Sequence, residues 1–117
     1  MDMEFEKKGD VGVMKIAGRL DASNASQLKS QFSDYLTETT KFVLDMRELE
    51  TVDSTGLGAI VACLKYASEA GGDLRIAVLQ SKPKMVFELT RAYRVFDIYD
   101  SVYAAVDSFS GIKTGVF

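Results

Sequence analysis

Asp53-Ser54-Thr55-Gly56-Leu57-Gly58 runs directly into Ala59-Ile60-Val61-Ala62-Cys63-Leu64. The first half is small and polar; the second is apolar and built of good helix formers. Asp, Ser and Thr favour helix N-caps because a side-chain oxygen accepts from the free amides of the first turn. The spacing predicts a helix over 55–70, with Leu57, Ile60, Val61, Leu64 and Ala67 turned inward. Gly71-Gly72 stops it, as glycine does at helix C-termini. Both hydroxyls then sit at a helix start, where backbone N–H groups and the dipole favour negative charge. A hydroxyl in that place is either a cap or a seat for a phosphate, and local chemistry leaves both open. Asp53 itself reads as a capping or turn residue.

Upstream, Phe42-Val43-Leu44 is a short unbroken apolar run, suited to a central strand covered on both faces. Arg47 to Thr51 reads as a polar link. Asn24 and Gln27 have capping-box spacing, and Ala25, Leu28, Phe32, Tyr35 and Leu36 keep the helical period, which predicts a helix over 24–37. Met3-Glu4-Phe5-Glu6 alternates, Gly9-Asp10 supplies a turn, and Val11 to Ala17 returns as the second strand of a hairpin. Gly18 ends that strand, and Arg19-Leu20-Asp21 forms a loop.

Downstream, Leu74 to Leu79 reads as a strand. Ser81 caps a helix with Pro83 in its first turn, where proline is tolerated, and Met85, Val86, Leu89 and Tyr93 give it an apolar stripe. Phe96 to Tyr99 makes a last short strand. Ser101 caps a final helix with Val102, Ala105, Val106 and Phe109 on one side. The expected fold is one α/β domain over 1–109, a mixed sheet of about four or five strands opened by a β-hairpin, with about four helices packed on it. Ser110 to Phe117 has two glycines and no period, and reads as a flexible tail.

Composition removes whole classes of chemistry. The net charge is −3 and the cations look dispersed, so no nucleic-acid footprint is expected. The chain has no histidine, which removes the commonest general base and every His-containing metal site. Cys63 is the only cysteine, so no internal disulfide forms; on an apolar helix it reads as a buried thiol. No phosphate-loop string occurs, and Gly56-Leu57-Gly58 begins a dinucleotide fingerprint only to place Val61 at the third glycine. Ser54 or Thr55 would need a base to act as a nucleophile, and Asp53 is the sole neighbour available. No enzyme activity, metal or cofactor is expected. The longest apolar or glycine run is Gly56 to Leu64, too short to cross a bilayer, and Met1-Asp2-Met3-Glu4 shows no signal pattern. The expectation is a cytoplasmic protein without membrane insertion.

Val52-Asp53-Ser54-Thr55-Gly56-Leu57-Gly58 resembles the signature of STAS domains, the family of bacterial anti-sigma factor antagonists. Gly18-Arg19-Leu20-Asp21-Ala22-Ser23-Asn24-Ala25 is similar to the family's loop after its second strand, and Phe42-Val43-Leu44-Asp45 stands where the family has its central strand. The resemblance implies partner switching. An unphosphorylated antagonist binds an anti-sigma factor that is also a serine/threonine kinase, and so frees the sigma factor. Phosphorylation ends the interaction, and a metal-dependent serine/threonine phosphatase restores it. By the same resemblance Thr55, directly before Gly-Leu, is the acceptor, with Ser54 as the alternative acceptor or the cap. Asp53 lies beside the acceptor. Arg19 and Asp21 belong to a loop near it, although Asp21 also suits a simple helix-initiating role. Ser54, Gly56, Leu57 and Gly58 complete the partner-binding face, the glycines leaving clearance for the partner. The competing expectation is an unregulated STAS scaffold or a partner subunit of a lipid or anion transport system.

Overall fold

A computed structural model of the chain describes residues 1–110. Its elements are β1 (Asp2–Lys8), β2 (Val11–Leu20), α1 (Ala25–Tyr35), β3 (Lys41–Asp45), β4 (Leu49–Val52), α2 (Ser54–Glu69), β5 (Asp73–Ala77), α3 (Ser81–Leu89), β6 (Ile98–Tyr99) and α4 (Val102–Asp107). A short 3-10 turn covers Ala92–Arg94. The strands lie in the order β1-β2-β3-β5-β6, with β4 paired to the far end of β2. Only the β1–β2 hairpin is antiparallel, so the sheet is mixed as expected.

The period-2 alternation of the strands divides two cores. Met14, Ile16, Phe42, Leu44, Leu74 and Ile76 face α1, α2 and α3. Val11, Val13, Val43 and Ala77 face the other way, under Ala105 of α4. β3 is central and apolar on both faces, and that explains its unbroken apolar run. Helix α2 stops as the glycine pair predicts. Gly71 takes φ +88°, its N–H donates to the Ser68 carbonyl, and Gly72 N–H donates to the Ala67 carbonyl. The tail read over 110–117 lies, from residue 111 on, outside the described residues.

Several local expectations are corrected. Gly18, at φ +90°, does not end β2 but kinks it; its N–H donates to the Glu48 carbonyl, and β2 runs on to Leu20. The 47–51 stretch is not wholly a polar link. Leu49 and Val52 are buried, and 49–52 is a sixth strand, parallel to the extension of β2. Asn24 makes no capping bond to α1. Ser81 lies inside α3 rather than capping it; the N-cap is Gln80, with no side-chain bond. The stripe of α3 is also rotated. Pro83 and Phe87 point inward, whereas Met85, Leu89 and Tyr93 are exposed. Ser101 does cap α4, its Oγ accepting from Ala104 N–H at 3.0 Å.

Candidate functional site

The site is assembled where β4 feeds α2. Val52 is buried and ends the strand; Asp53 keeps extended backbone (φ −99°, ψ −176°), and the helix starts at Ser54. Asp53 Oδ1 accepts from Gly56 N–H at 2.7 Å, while the Asp53 carbonyl accepts from Leu57 N–H at 2.8 Å. Asp53 is therefore the N-cap, and the expectation that Ser54 caps is corrected. Only the last extended residue can fold its side chain back onto the third helical amide; Ser54 already has helical backbone. Ser54 and Thr55 are both exposed, and neither hydroxyl makes a hydrogen bond among the described residues.

The rest of the predicted set divides by burial. Leu57 is 7% exposed and belongs to the core, so it anchors α2 rather than facing outward. Gly56 is buried as well. A Cβ there would stand 2.9 Å from Leu20 Cγ and closer still to the Leu20 carbonyl oxygen, so this glycine lets α2 press on β2. Its reading as clearance for a partner is replaced by that contact. Gly58 fits the clearance reading: it is exposed, and a Cβ there would meet nothing within 4 Å. Val61, expected inward, is 41% exposed two turns beyond Ser54; Cys63 is buried, as expected. Among the described residues no group of His, Cys, Asp and Glu side chains is placed to hold a metal ion.

The 19–24 loop is tied to this helix start through the backbone. Asp53 N–H donates to the Leu20 carbonyl at 3.2 Å, next to the Leu20–Val52 strand pair. Asn24, expected as a cap and as part of the 18–25 loop, braces that loop instead of capping α1. Its Oδ1 accepts from Asp21 N–H at 2.9 Å and its Nδ2 donates to the Arg19 carbonyl at 2.8 Å. Asp21 Oδ1 accepts from Ser23 Oγ at 2.5 Å and Ser23 N–H at 3.0 Å. The Ser23 hydroxyl bond, then the Ser23 amide, holds the Asp21 carboxyl below its usual range. Asp21 thus shapes the turn into α1, the helix-initiating role. Arg19 is exposed and makes no ion pair among the described residues. A cleft of about 720 Å³ opens next door, lined by Gly18, Arg47, Glu50, Gln80 and Lys82, and contains none of the predicted site residues.

The STAS-domain family model matches residues 2–105, nearly the whole described chain. The chain belongs to the STAS-domain family. A Thermotoga maritima relative, described as a candidate anti-sigma factor antagonist, is 31% identical over 100 residues, which cover 84% of this STAS chain and 88% of the relative. The anti-sigma-B factor antagonist of Bacillus subtilis is 26% identical over 80% of this chain and 84% of its own length. A crystal structure from Thermotoga maritima, again of a candidate antagonist, superposes with TM-score 0.84 at 28% identity, covering 91% and 92% of the two chains.

Proposed function

We propose that this STAS domain is an anti-sigma factor antagonist that binds its anti-sigma factor through the 19–24 loop and the start of α2, and that phosphorylation there turns binding off. The observation that carries the reading is the pair of exposed hydroxyls, Ser54 and Thr55, on a helix start whose cap and packing are supplied by other residues. Neither hydroxyl is needed to hold the fold, so either is free for modification. The family resemblance favours Thr55. The structural ground for setting Ser54 aside is gone, since Asp53 does the capping, so the modification is assigned to the pair. The kinase is the anti-sigma factor itself, and a metal-dependent phosphatase reverses the step.

A phosphoryl group brings roughly −1.5 to −2 charges, which the free amides of a helix start tolerate. A partner carboxylate facing it at ~4 Å loses about 4 kcal/mol per unit pair at an effective dielectric of ~20. That corresponds to nearly three decades in affinity, enough for a switch without a change of shape. The test is incubation with the kinase anti-sigma factor and ATP, followed by mass spectrometry of wild type, Ser54→Ala and Thr55→Ala. The expected result is one phosphate, lost in only one variant, with both variants still binding the anti-sigma factor. The glutamate replacement at the same position should weaken that binding. A phosphate outside 54–55 would overturn the site assignment.

A further inference from the structure

The two edges of the sheet differ. One edge is β6, two residues long; the other is β1, seven residues long and in unbroken register with β2. The turn sets which backbone groups of β1 face outward. Lys8 and Val11 close the two-residue Gly9-Asp10 turn, so they form a hydrogen-bonded pair. Such pairs alternate along an antiparallel ladder, so Asp2, Glu4 and Glu6 also bond inward to β2. Met3, Phe5 and Lys7 then aim their N–H and C=O groups away from the sheet, and nothing else bonds them among the described residues. The edge is also held firmly. Phe5 stacks on Tyr35 with ring centroids 3.9 Å apart, and Met3 packs against the main core. A long uncovered edge of this kind is a template for another strand.

A second copy of β1 fits that template. Outward residues must pair with outward residues, so two copies meet antiparallel about a two-fold axis normal to the sheet. The register that overlaps the whole strand sets Phe5 opposite Phe5 and Met3 opposite Lys7, and so bonds the outward groups of both copies. On the solvent face it sets Asp2 against Lys8, which attract. It also sets Glu4 against Glu6 on both sides of the axis, and like charges directly opposite repel. A slip by one side-chain period does not escape this, because it brings Glu4 opposite Glu4 or Glu6 opposite Glu6. The second of these slips gains Glu4–Lys8 contacts, but it carries Asp2 and Met3 past the end of the partner strand. Neighbouring cations do not cancel the glutamates. Lys15, opposite Glu4 on β2, is held by Glu48 at 2.7 Å, and Lys8 meets Glu6 at 3.3 Å as an exposed pair, which contributes little. We propose that β1 is a self-pairing edge and that Glu4 and Glu6 hold two copies apart, so that the free chain is a monomer. The inference uses none of residues 53–58 and stands apart from the phosphorylation reading.

The test is a charge-reversal cycle on the full chain: wild type, Glu4→Lys, Glu6→Lys and Glu4→Lys/Glu6→Lys, each followed by sedimentation equilibrium and amide exchange. Both positions are exposed, so all variants should fold, as unshifted core resonances would report. Either single reversal turns the Glu4–Glu6 repulsion into attraction, and the double reversal restores repulsion between two lysines. The expected result is that each single variant self-associates about tenfold or more tightly than wild type, while the double variant returns to the wild-type state. On association the amides of Met3, Phe5 and Lys7 should slow in exchange, with those of Glu4 and Glu6 little changed. The proposal is overturned if neither single variant associates up to roughly 1 mM, a very weak limit. It is equally overturned if wild type or the double variant associates as tightly as the single ones, or if protection falls outside β1. Slow exchange of Met3, Phe5 and Lys7 in monomeric wild type would show the edge already covered, and would overturn it as well.

Discussion

Gly56 and Gly58 are two residues apart on one helix and have opposite surroundings. Alanine at 56 drives a methyl into the Leu20 backbone, which cannot move without disturbing the β2–β4 pairing and the Asp53 amide bond. Gly56→Ala should cost about 1–3 kcal/mol, the usual range for overpacking. Gly58→Ala meets open space in a helix interior and should stabilise by roughly 0.5–1 kcal/mol, by lowering the entropy of the unfolded chain. Urea denaturation of the two variants separates them, and destabilisation of both would contradict the packing described. The sequence made the helix start legible, because Asp-Ser-Thr-Gly before an apolar run has few other uses. It did not make legible which polar residue caps or which glycine is structural. Asp, Ser and Thr have similar capping propensity, and the choice is set by where the buried Val52 ends its strand. Leu20, whose carbonyl both receives Asp53 and excludes a side chain at 56, leaves no mark in a one-dimensional pattern.

Elements with a strong period or an unbroken apolar run were legible: the hairpin, β3, α2 with its glycine stop, and α4 with its serine cap. β4 was not, because Leu49-Glu50-Thr51-Val52 is four residues long and shows one charge in four to a period-2 reading. Its strand character comes from pairing with β2 beyond the Gly18 kink, a tertiary event. On α2 the expected inward face holds at Leu57, Ile60, Leu64 and Ala67 and fails at Val61, while Cys63 is fully buried, as its place on the apolar run implied. Burial pushes the Cys63 thiol up to about 12 from its ordinary value of 9.0. The native chain should therefore resist thiol reagents at pH 8 and react once unfolded in urea. Its pKa is raised on folding, so the stability it contributes is fully present below about pH 9. That contribution is lost as the pH climbs toward 12, because only the unfolded chain readily forms thiolate. Denaturation midpoints of wild type and Cys63→Ala should accordingly differ most at neutral pH and converge in alkali; a constant gap would contradict the burial.

At the scale of the whole molecule the sheet is unevenly covered. Three helices bury one face, whereas the six-residue α4 is the helix packed on the other. So short a helix has little stability of its own, and its position depends on what it touches. Arg75 supplies a clamp from β5. Its Nε lies 3.2 Å from Asp73 Oδ2, its Nη1 donates to Ser108 Oγ at 2.6 Å, and its guanidinium stacks 3.9 Å from the Phe109 ring centroid. Ser108 Oγ in turn donates to the Ala105 carbonyl at 2.6 Å, closing the last turn of α4. The Arg75 side chain is only 19% exposed, so these contacts are partly shielded from water and worth more than a surface ion pair. A planar fork that stacks and donates at once has no equivalent in lysine. Arg75→Lys should therefore behave almost like Arg75→Ala, each losing about 1.5–3 kcal/mol from a charge-assisted hydrogen bond. Hydrogen exchange should quicken in 102–109 while α2 and β3 stay protected, because the loss is local to one face. Equal protection of α4 in wild type and Arg75→Ala would mean that Ala105 and Val102 hold the helix by apolar contact alone. Uniform loss of protection would instead make α4 part of the cooperative core.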